Sequence, residues 1–135
     1  MKTLAFICAL FSSVLINTVK IEYVVGKMHE ECPCVISDDF IVENIDTDWD
    51  NNVVLDIIVD DAYLYGVSFA DALIDPAFSR SLIKEFLVDN LRRSRDSDFR
   101  DFIQLVRKAE YNIILHFGGF ESNIVYEIVI TYNEL

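Results

Sequence analysis

Basic residues are missing from the middle of this sequence. No lysine or arginine lies between Met28 and Ser79, although that stretch carries 13 acidic residues, and the whole chain of 135 residues has a formal net charge of −12. Such a chain is repelled by nucleic-acid phosphates and by anionic membrane surfaces. We therefore expect no nucleic-acid binding, and the acidic stretch favours a basic protein as partner. The plainer interpretation is a solvated acidic surface.

Glycine, proline and histidine are also scarce, with four, two and two residues. No glycine-rich phosphate loop is present. Neither His29 nor His116 has the strained serine or cysteine turn that a catalytic triad needs, and we expect no carboxylate to orient His116. Adjacent carboxylates such as Asp60 and Asp61 point to opposite faces if they lie on a strand. The sequence therefore predicts no catalytic residues and no enzyme activity.

Long hydrophobic runs are absent as well. The apolar run from Leu4 to Ile16 follows Lys2 and is too short for a stable membrane span. A basic start followed by a short apolar core is typical of a secretory signal peptide. We predict a signal peptide over 1–19, a single domain over 20–135, and export to the periplasm or cell envelope. The alternative is a buried N-terminal helix in a cytoplasmic protein.

The apolar residues that are present alternate in four segments. Two of them, Tyr111–Phe117 and Ile124–Tyr132, flank glycines and turn-forming residues, and two others, Phe40–Asp46 and Val53–Asp60, flank a polar break. Period-two alternation of β-branched and aromatic residues indicates strands. The sequence therefore predicts two β-hairpins.

Helical spacing appears in the remaining segments. Lys20–Cys32 carries one apolar stripe that Pro33 ends, and Ser68 can cap a short helix over Phe69–Ile74. Asp75-Pro76 is typical of a helix start and predicts a helix to about Arg93, followed by another over Asp98–Glu110. With 53% hydrophobic residues the chain can bury a core. The predicted fold is α+β: a two-layer sandwich whose four-stranded antiparallel sheet is covered by an N-terminal helix and a middle helical region.

Two patterns resemble metal or redox sites. Asp46-x-Asp48-x-Asp50 resembles the start of a calcium loop, but Asn51 and Ile57 stand where glycine and glutamate are needed, so a hairpin turn is the better interpretation. Cys32-Pro33-Cys34 lacks the spacing of a redox pair. We expect Cys32 to pack in the core, and we predict no metal and no cofactor. A bridge between chains, and the oxidation state of both thiols, stay open.

The order of these features resembles a loose family of small exported bacterial α+β proteins of unknown function. The likeness is carried by the helix ending at Cys32-Pro33, by Asp38-Asp39 before a strand–turn–strand unit, and by Tyr111–Leu115 before a closing strand. It implies export and brings no catalytic residues with it.

The resulting hypothesis is a non-enzymatic, exported binding protein of the inhibitor or immunity type, which neutralises a basic partner such as a toxin or hydrolase. Complementary charge speeds encounter and selects partners. The alternative is an accessory or structural protein of the cell envelope. The oligomeric state is not predicted. The proposed partner-binding residues are acidic or aromatic: Asp46, Asp48, Trp49, Asp50, Asp60, Asp61, Tyr63 and Tyr65.

Overall fold

The structure, a computed structural model, describes most of the chain after the first twelve residues. The described ranges are 13–37, 40–59, 63–64, 66–118 and 126–135. Within them, only the backbone is described for 13–15, 36–37, 59 and 63.

Four α-helices and one five-stranded sheet make up most of this part of the chain. The helices are α1 (Ser13–Glu31), α2 (Phe69–Ile74), α3 (Arg80–Arg92) and α4 (Ser97–Lys108), and a 3-10 helix (Tyr132–Glu134) follows. The strands are β1 (Cys34–Ser37), β2 (Phe40–Thr47), β3 (Asn52–Val59), β4 (Tyr63–Leu64), β5 (Val67–Ser68), β6 (Asn112–Phe117) and β7 (Tyr126–Ile130). The predicted α+β class is confirmed.

The five-stranded sheet has the order β1-β2-β3-β6-β7, while β4 and β5 pair separately. Both predicted hairpins are present, β2 with β3 and β6 with β7. The prediction of four antiparallel strands was wrong in two respects. The short strand β1 adds a fifth, and β3 pairs with β6 in parallel, with Leu55 opposite Leu115.

The parallel pair follows from the long helical connection between the hairpins. A two-residue turn can only return the chain antiparallel, whereas a connection that includes helices carries it back to the end where the previous strand began. The segment between β3 and β6 holds α2, α3 and α4. The two hairpins therefore join side by side through their central strands.

One face of the sheet, here called the inner face, lies in a single hydrophobic core with all four helices. Phe69 of α2 is fully buried at its centre. Its ring centroid lies 5.7 Å from that of Phe40, 5.6 Å from Phe86 and 5.3 Å from Phe117. The fully buried residues of the inner face come from four strands: Phe40, Val42, Ile45, Val53, Leu55, Ile113, Leu115, Phe117 and Ile130.

Helix ends agree with their capping residues. Ser68 Oγ accepts the Asp71 N–H at 3.3 Å, which confirms the predicted start of α2. The predicted helix start at Asp75-Pro76 was wrong: Asp75 closes a turn by accepting the Ala77 N–H, and Ser79 caps α3 instead. A helix cap accepts a free N–H of the first turn through its side chain, and Ser79 Oγ accepts the Leu82 N–H, three residues on, at 3.2 Å.

The first helix is longer than predicted. It runs without a break from Ser13 to Glu31, across the predicted boundary between residues 19 and 20. Asn17 Nδ2 donates to the Lys108 carbonyl of α4 at 3.5 Å. Whether 1–19 are removed stays a prediction. Within the described ranges, the structure holds no helix with the length and apolar character of a membrane span.

Candidate functional site

The turn between β2 and β3 is built around the Asp48 carboxylate. Asp48 Oδ1 accepts the backbone N–H groups of Asp50 at 2.8 Å and Asn52 at 3.0 Å, and Oδ2 accepts Asn52 Nδ2 at 2.9 Å. The Asp48 N–H donates to the Asn52 carbonyl at 3.0 Å. Asn51 takes a left-handed backbone with φ of 58°, which asparagine tolerates better than most residues. The predicted interpretation of this segment as a hairpin turn is confirmed.

The charge on Asp48 is held by these hydrogen bonds. Partial burial of the carboxyl acts to raise its pKa, but the bonds from the Asn52 side chain and from the Asp50 and Asn52 N–H groups outweigh it. The pKa of Asp48 therefore lies below its ordinary value, and the turn is best formed when the carboxylate is ionised.

Trp49 stands at the apex of this turn with its whole side chain in solvent, at 102% relative exposure. Asp50 beside it is exposed, and the Asp46 side chain is 62% exposed. The structure thus brings four of the predicted partner-binding residues into one hairpin end. We call Asp46, Asp48, Trp49 and Asp50 the acidic tip.

The base of this hairpin is fastened to α1. Glu22 accepts the Thr47 hydroxyl at 2.9 Å through Oε2 and the Tyr111 hydroxyl at 3.2 Å through Oε1. Burial, together with the neighbouring Glu22 carboxylate, raises the pKa of Tyr111. His29 of α1 hydrogen-bonds through Nδ1 to the Ile45 carbonyl at 3.0 Å. The acidic tip therefore projects from a fixed support.

Four further residues were predicted to bind the partner, and the structure describes only one of them, Tyr63. Asp60, Asp61 and Tyr65 lie outside the described residues, so their prediction stays open. Tyr63 lies in β4, whose backbone pairs with β5 in the separate two-stranded ladder. Among the residues whose positions are given, no cluster of three or more histidine, cysteine or acidic side chains could hold a metal ion.

A second group of charged residues lies on the face of the sheet opposite the core, here called the outer face. His116 of β6 stands between Asp56 of β3 and Glu127 of β7, its partners in the strand register. Its Nδ1 lies 3.3 Å from Asp56 Oδ1 and its Nε2 2.9 Å from Glu127 Oε2. The expectation that no carboxylate orients His116 was wrong. The alternation of each strand places all three residues opposite the apolar face, but only the pairing of β3 with β6 brings Asp56 to the histidine.

This outer-face cluster has the chemistry of a charge pair rather than of a nucleophile and its base. Both ring nitrogens of His116 face carboxylate oxygens, and within the described ranges neither nitrogen bonds a serine hydroxyl or cysteine thiol. The arrangement holds three strands together and presents negative charge.

A cleft of about 730 Å³ separates α3 from the edge strand β7. Basic residues of α3 line it, but each bonds to the chain itself. Arg80 Nη1 donates to the Glu127 carbonyl at 3.2 Å, Lys84 pairs with Glu134 at 3.3 Å, and Arg92 Nε donates to the Leu135 carbonyl at 3.0 Å. These contacts fasten β7 and the last residues to α3.

The cysteine pair lies where α1 gives way to β1. Cys32 and Cys34 carry free thiols and are half-buried against the core. Burial, with smaller contributions from the neighbouring Cys32 and from the charges of Glu31 and Asp96, raises the pKa of the Cys34 thiol to about 11. A raised pKa keeps a thiol protonated and slow to react. The expectation that Cys32 packs against the core is confirmed in part, since it is half-buried.

Comparison with known proteins adds a fold neighbour. No protein-family model and no curated protein sequence matches the chain. Among solved structures, a candidate secreted protein of Pseudomonas aeruginosa aligns with a TM-score of 0.52 and 11% sequence identity, over 87% of this chain and 95% of that one. At this identity the likeness shows the fold alone. The chain therefore shares the α+β fold of that protein.

Proposed function

We propose that this chain is an exported, non-enzymatic binding protein that neutralises a basic protein partner through its acidic tip. The observation that carries the proposal is Trp49, which is fully exposed at the apex of a turn whose backbone the Asp48 carboxylate holds in place. Tryptophan is enriched among the residues that dominate binding energy at protein interfaces. Because the turn backbone is already held in place, covering Trp49 requires the ordering of its own side chain but not of the loop.

The charges around Trp49 give the chemistry of the partner. Asp46 and Asp50 are exposed, and His29 Nδ1 lies 3.7 Å from Asp46 Oδ2. Because carboxylates surround the aromatic side chain on this protein, the complementary surface on the partner is an apolar pocket surrounded by lysine and arginine. Attraction between such opposite charges raises the association rate, and this attraction weakens as the salt concentration rises.

Export is supported by two features of different kind. The basic residue and apolar run at the start of the sequence are typical of a signal peptide. The fold neighbour is described as a candidate secreted protein. Both features support an extracytoplasmic location, and the inhibitor or immunity role is the specific form that we propose for the binding protein there.

The test is affinity capture from the lysate of the chain's own host with the full chain as bait, run in parallel with two variants. Trp49→Ala combined with Asp50→Asn removes the proposed contacts, whereas Glu85→Gln combined with Asp101→Asn alters exposed carboxylates on α3 and α4. Asp48 is left in place because its loss would disturb the turn. A basic protein held by the native chain and the helix variant, lost from the tip variant and released by salt, is the expected result. Equal capture by all three baits would refute the acidic tip as the binding site.

A further inference from the structure

We propose that the outer face of the sheet docks a basic amphipathic helix supplied by the partner. The inference rests on the proposed function and extends it, since it gives the partner a second element of stated chemistry and a second surface. The buried residues of α1, α2, α3 and α4 all belong to the single core on the inner face. Within the described ranges, no helix covers the outer face.

Apolar side chains lie on this uncovered face in register with one another. Val54 of β3 lies opposite Ile114 of β6, and Ile114 lies opposite Val129 of β7. Further along the strands Ile41 lies opposite Ile58. Val129 is 38% exposed, and the others are half-buried. A sheet with apolar residues on both faces is typical of proteins whose helices cover both faces.

Carboxylates separate the two groups of apolar residues. Asp56 and Glu127 flank His116 in the intervening row, with side chains 44% and 57% exposed. Asp46 of the acidic tip lies opposite Val54 in the register of β2 with β3. The outer face is thus continuous with the acidic tip, and the described part of it carries the carboxylates of Asp46, Asp56 and Glu127, with the imidazoles of His116 and His29 beside them.

These charges decide which occupant suits the face. A second copy stacked face to face would bring Asp46, Asp56 and Glu127 near their own like charges. Anionic lipid and nucleic acid are repelled by the same groups. An amphipathic helix with leucine-like residues on one side and lysine or arginine along its borders meets both the apolar residues and the carboxylates. The occupant is therefore a basic helix.

The experiment uses the full chain and a synthetic probe. The probe is a helical peptide of about 18 leucine and lysine residues with one apolar stripe, and its control has the same composition in an order without the stripe. Binding is measured by titration calorimetry, and its location by backbone amide shifts in NMR spectra. We expect the striped peptide to bind about tenfold more tightly than its control and to shift amides of β3, β6 and β7.

Two matched variants place the site. Asp56→Asn with Glu127→Gln removes two carboxylates of the outer face, and Glu85→Gln with Asp101→Asn removes two from the helices, so that both have the same net charge. The outer-face variant should lose about tenfold in affinity and the helix variant less than about twofold. Equal losses, or amide shifts confined to the helices, would overturn the proposal, because general attraction between opposite charges explains either result.

A third variant separates this inference from the proposed function. Trp49→Ala leaves the outer face intact, so the striped peptide should bind it as before. If a captured basic partner requires Trp49 but tolerates the outer-face variant, the acidic tip is correct and the outer-face proposal is wrong. If the peptide maps to the outer face but no partner requires Trp49, the acidic tip is wrong and the outer face alone binds.

Discussion

The two faces of the sheet are built from the same strands but differ in what covers them. On the inner face, Leu55, Leu115 and Phe117 are fully buried beneath the helices. The next residue along each strand lies on the outer face. Asp56 and His116 are there, and they and their half-buried neighbours are partly exposed to solvent. The inner face therefore contributes most of the stability, whereas the residues of the outer face contribute less to it and are available to bind a partner. The predictions below use this difference, beginning with the largest expected effect.

Removing an aromatic ring from the inner face should be far more costly than trimming the outer face. Phe69→Ala should lower the free energy of unfolding by about 3–5 kcal/mol, because it leaves a cavity among Phe40, Phe86 and Phe117. Ile114→Ala, on the half-buried outer face, should cost about 1 kcal/mol. Urea unfolding of both variants measures the difference. Similar losses would show that the outer face is also covered.

Thiol reactivity should differ sharply between adjacent positions of β1. Cys34 lies opposite Val42 of the inner face, whereas Val35 is 61% exposed. Because burial raises the pKa of Cys34 from 9.0 to about 11, its thiolate fraction at neutral pH falls about a hundredfold. Iodoacetamide should therefore modify Cys34 about a hundred times more slowly than a cysteine introduced by Val35→Cys with Cys34→Ser, as followed by mass spectrometry of site-specific peptides. Equal rates would contradict the burial of Cys34.

The acidic tip should depend on Asp48 for stability and on its neighbours for binding. Asp48→Ala removes the acceptor of three hydrogen bonds and should cost about 1 kcal/mol. Asp46→Ala serves as the control and should cost less, since its exposed carboxylate accepts the Asn44 amide at 3.2 Å and lies 3.7 Å from His29 Nδ1, but holds no backbone N–H of the turn within the described ranges. Thermal unfolding compares the two. A larger loss for Asp46→Ala would contradict the turn geometry.

The contribution of Asp48 should vanish in acid. Its pKa is lower in the folded chain than its ordinary value of 3.8, so the folded state favours the ionised carboxylate. The resulting stabilisation is present above the pKa of the unfolded chain and is lost as pH falls through the folded pKa. The difference in unfolding free energy between the native chain and Asp48→Asn should therefore be constant near neutral pH and decline below about pH 4. A difference that grows on acidification would have the wrong sign.

The smallest effect on stability is expected for the charged cluster of the outer face. His116→Gln should change the free energy of unfolding by less than about 1 kcal/mol, because its ion pairs with Asp56 and Glu127 are partly exposed and screened. Urea unfolding at low and high salt measures this. A loss comparable to that of Phe69→Ala would mean that the cluster is part of the core.

Local patterns predicted most elements of this fold. Alternation located β2, β3, β6 and β7, and Ser68 marked the start of α2 because a hydroxyl acceptor at that position satisfies a free N–H. The start of α3 was missed because Asp75-Pro76 satisfies the rules for a turn as well as those for a helix start. Strand β1 was missed since its four residues are too few to show a period, although Val35 and Ile36 are β-branched.

The acidic tip could be predicted from the sequence because its residues are neighbours along the chain. Asp46, Asp48, Trp49 and Asp50 lie in one turn, whatever packs elsewhere. The outer-face cluster could not be predicted in this way. Asp56, His116 and Glu127 come from three strands, and nothing local specifies that β3 and β6 pair.

The sequence by itself determined the α+β class, the two hairpins, their apolar faces and the acidic turn, because each depends on contacts between residues close in the chain. The tertiary structure alone decided the parallel junction of the hairpins, the pairing of His116 with two carboxylates, and which face of the sheet the helices cover. Those features depend on burying one shared core, and the free energy of that burial belongs to the assembled chain rather than to any segment of it.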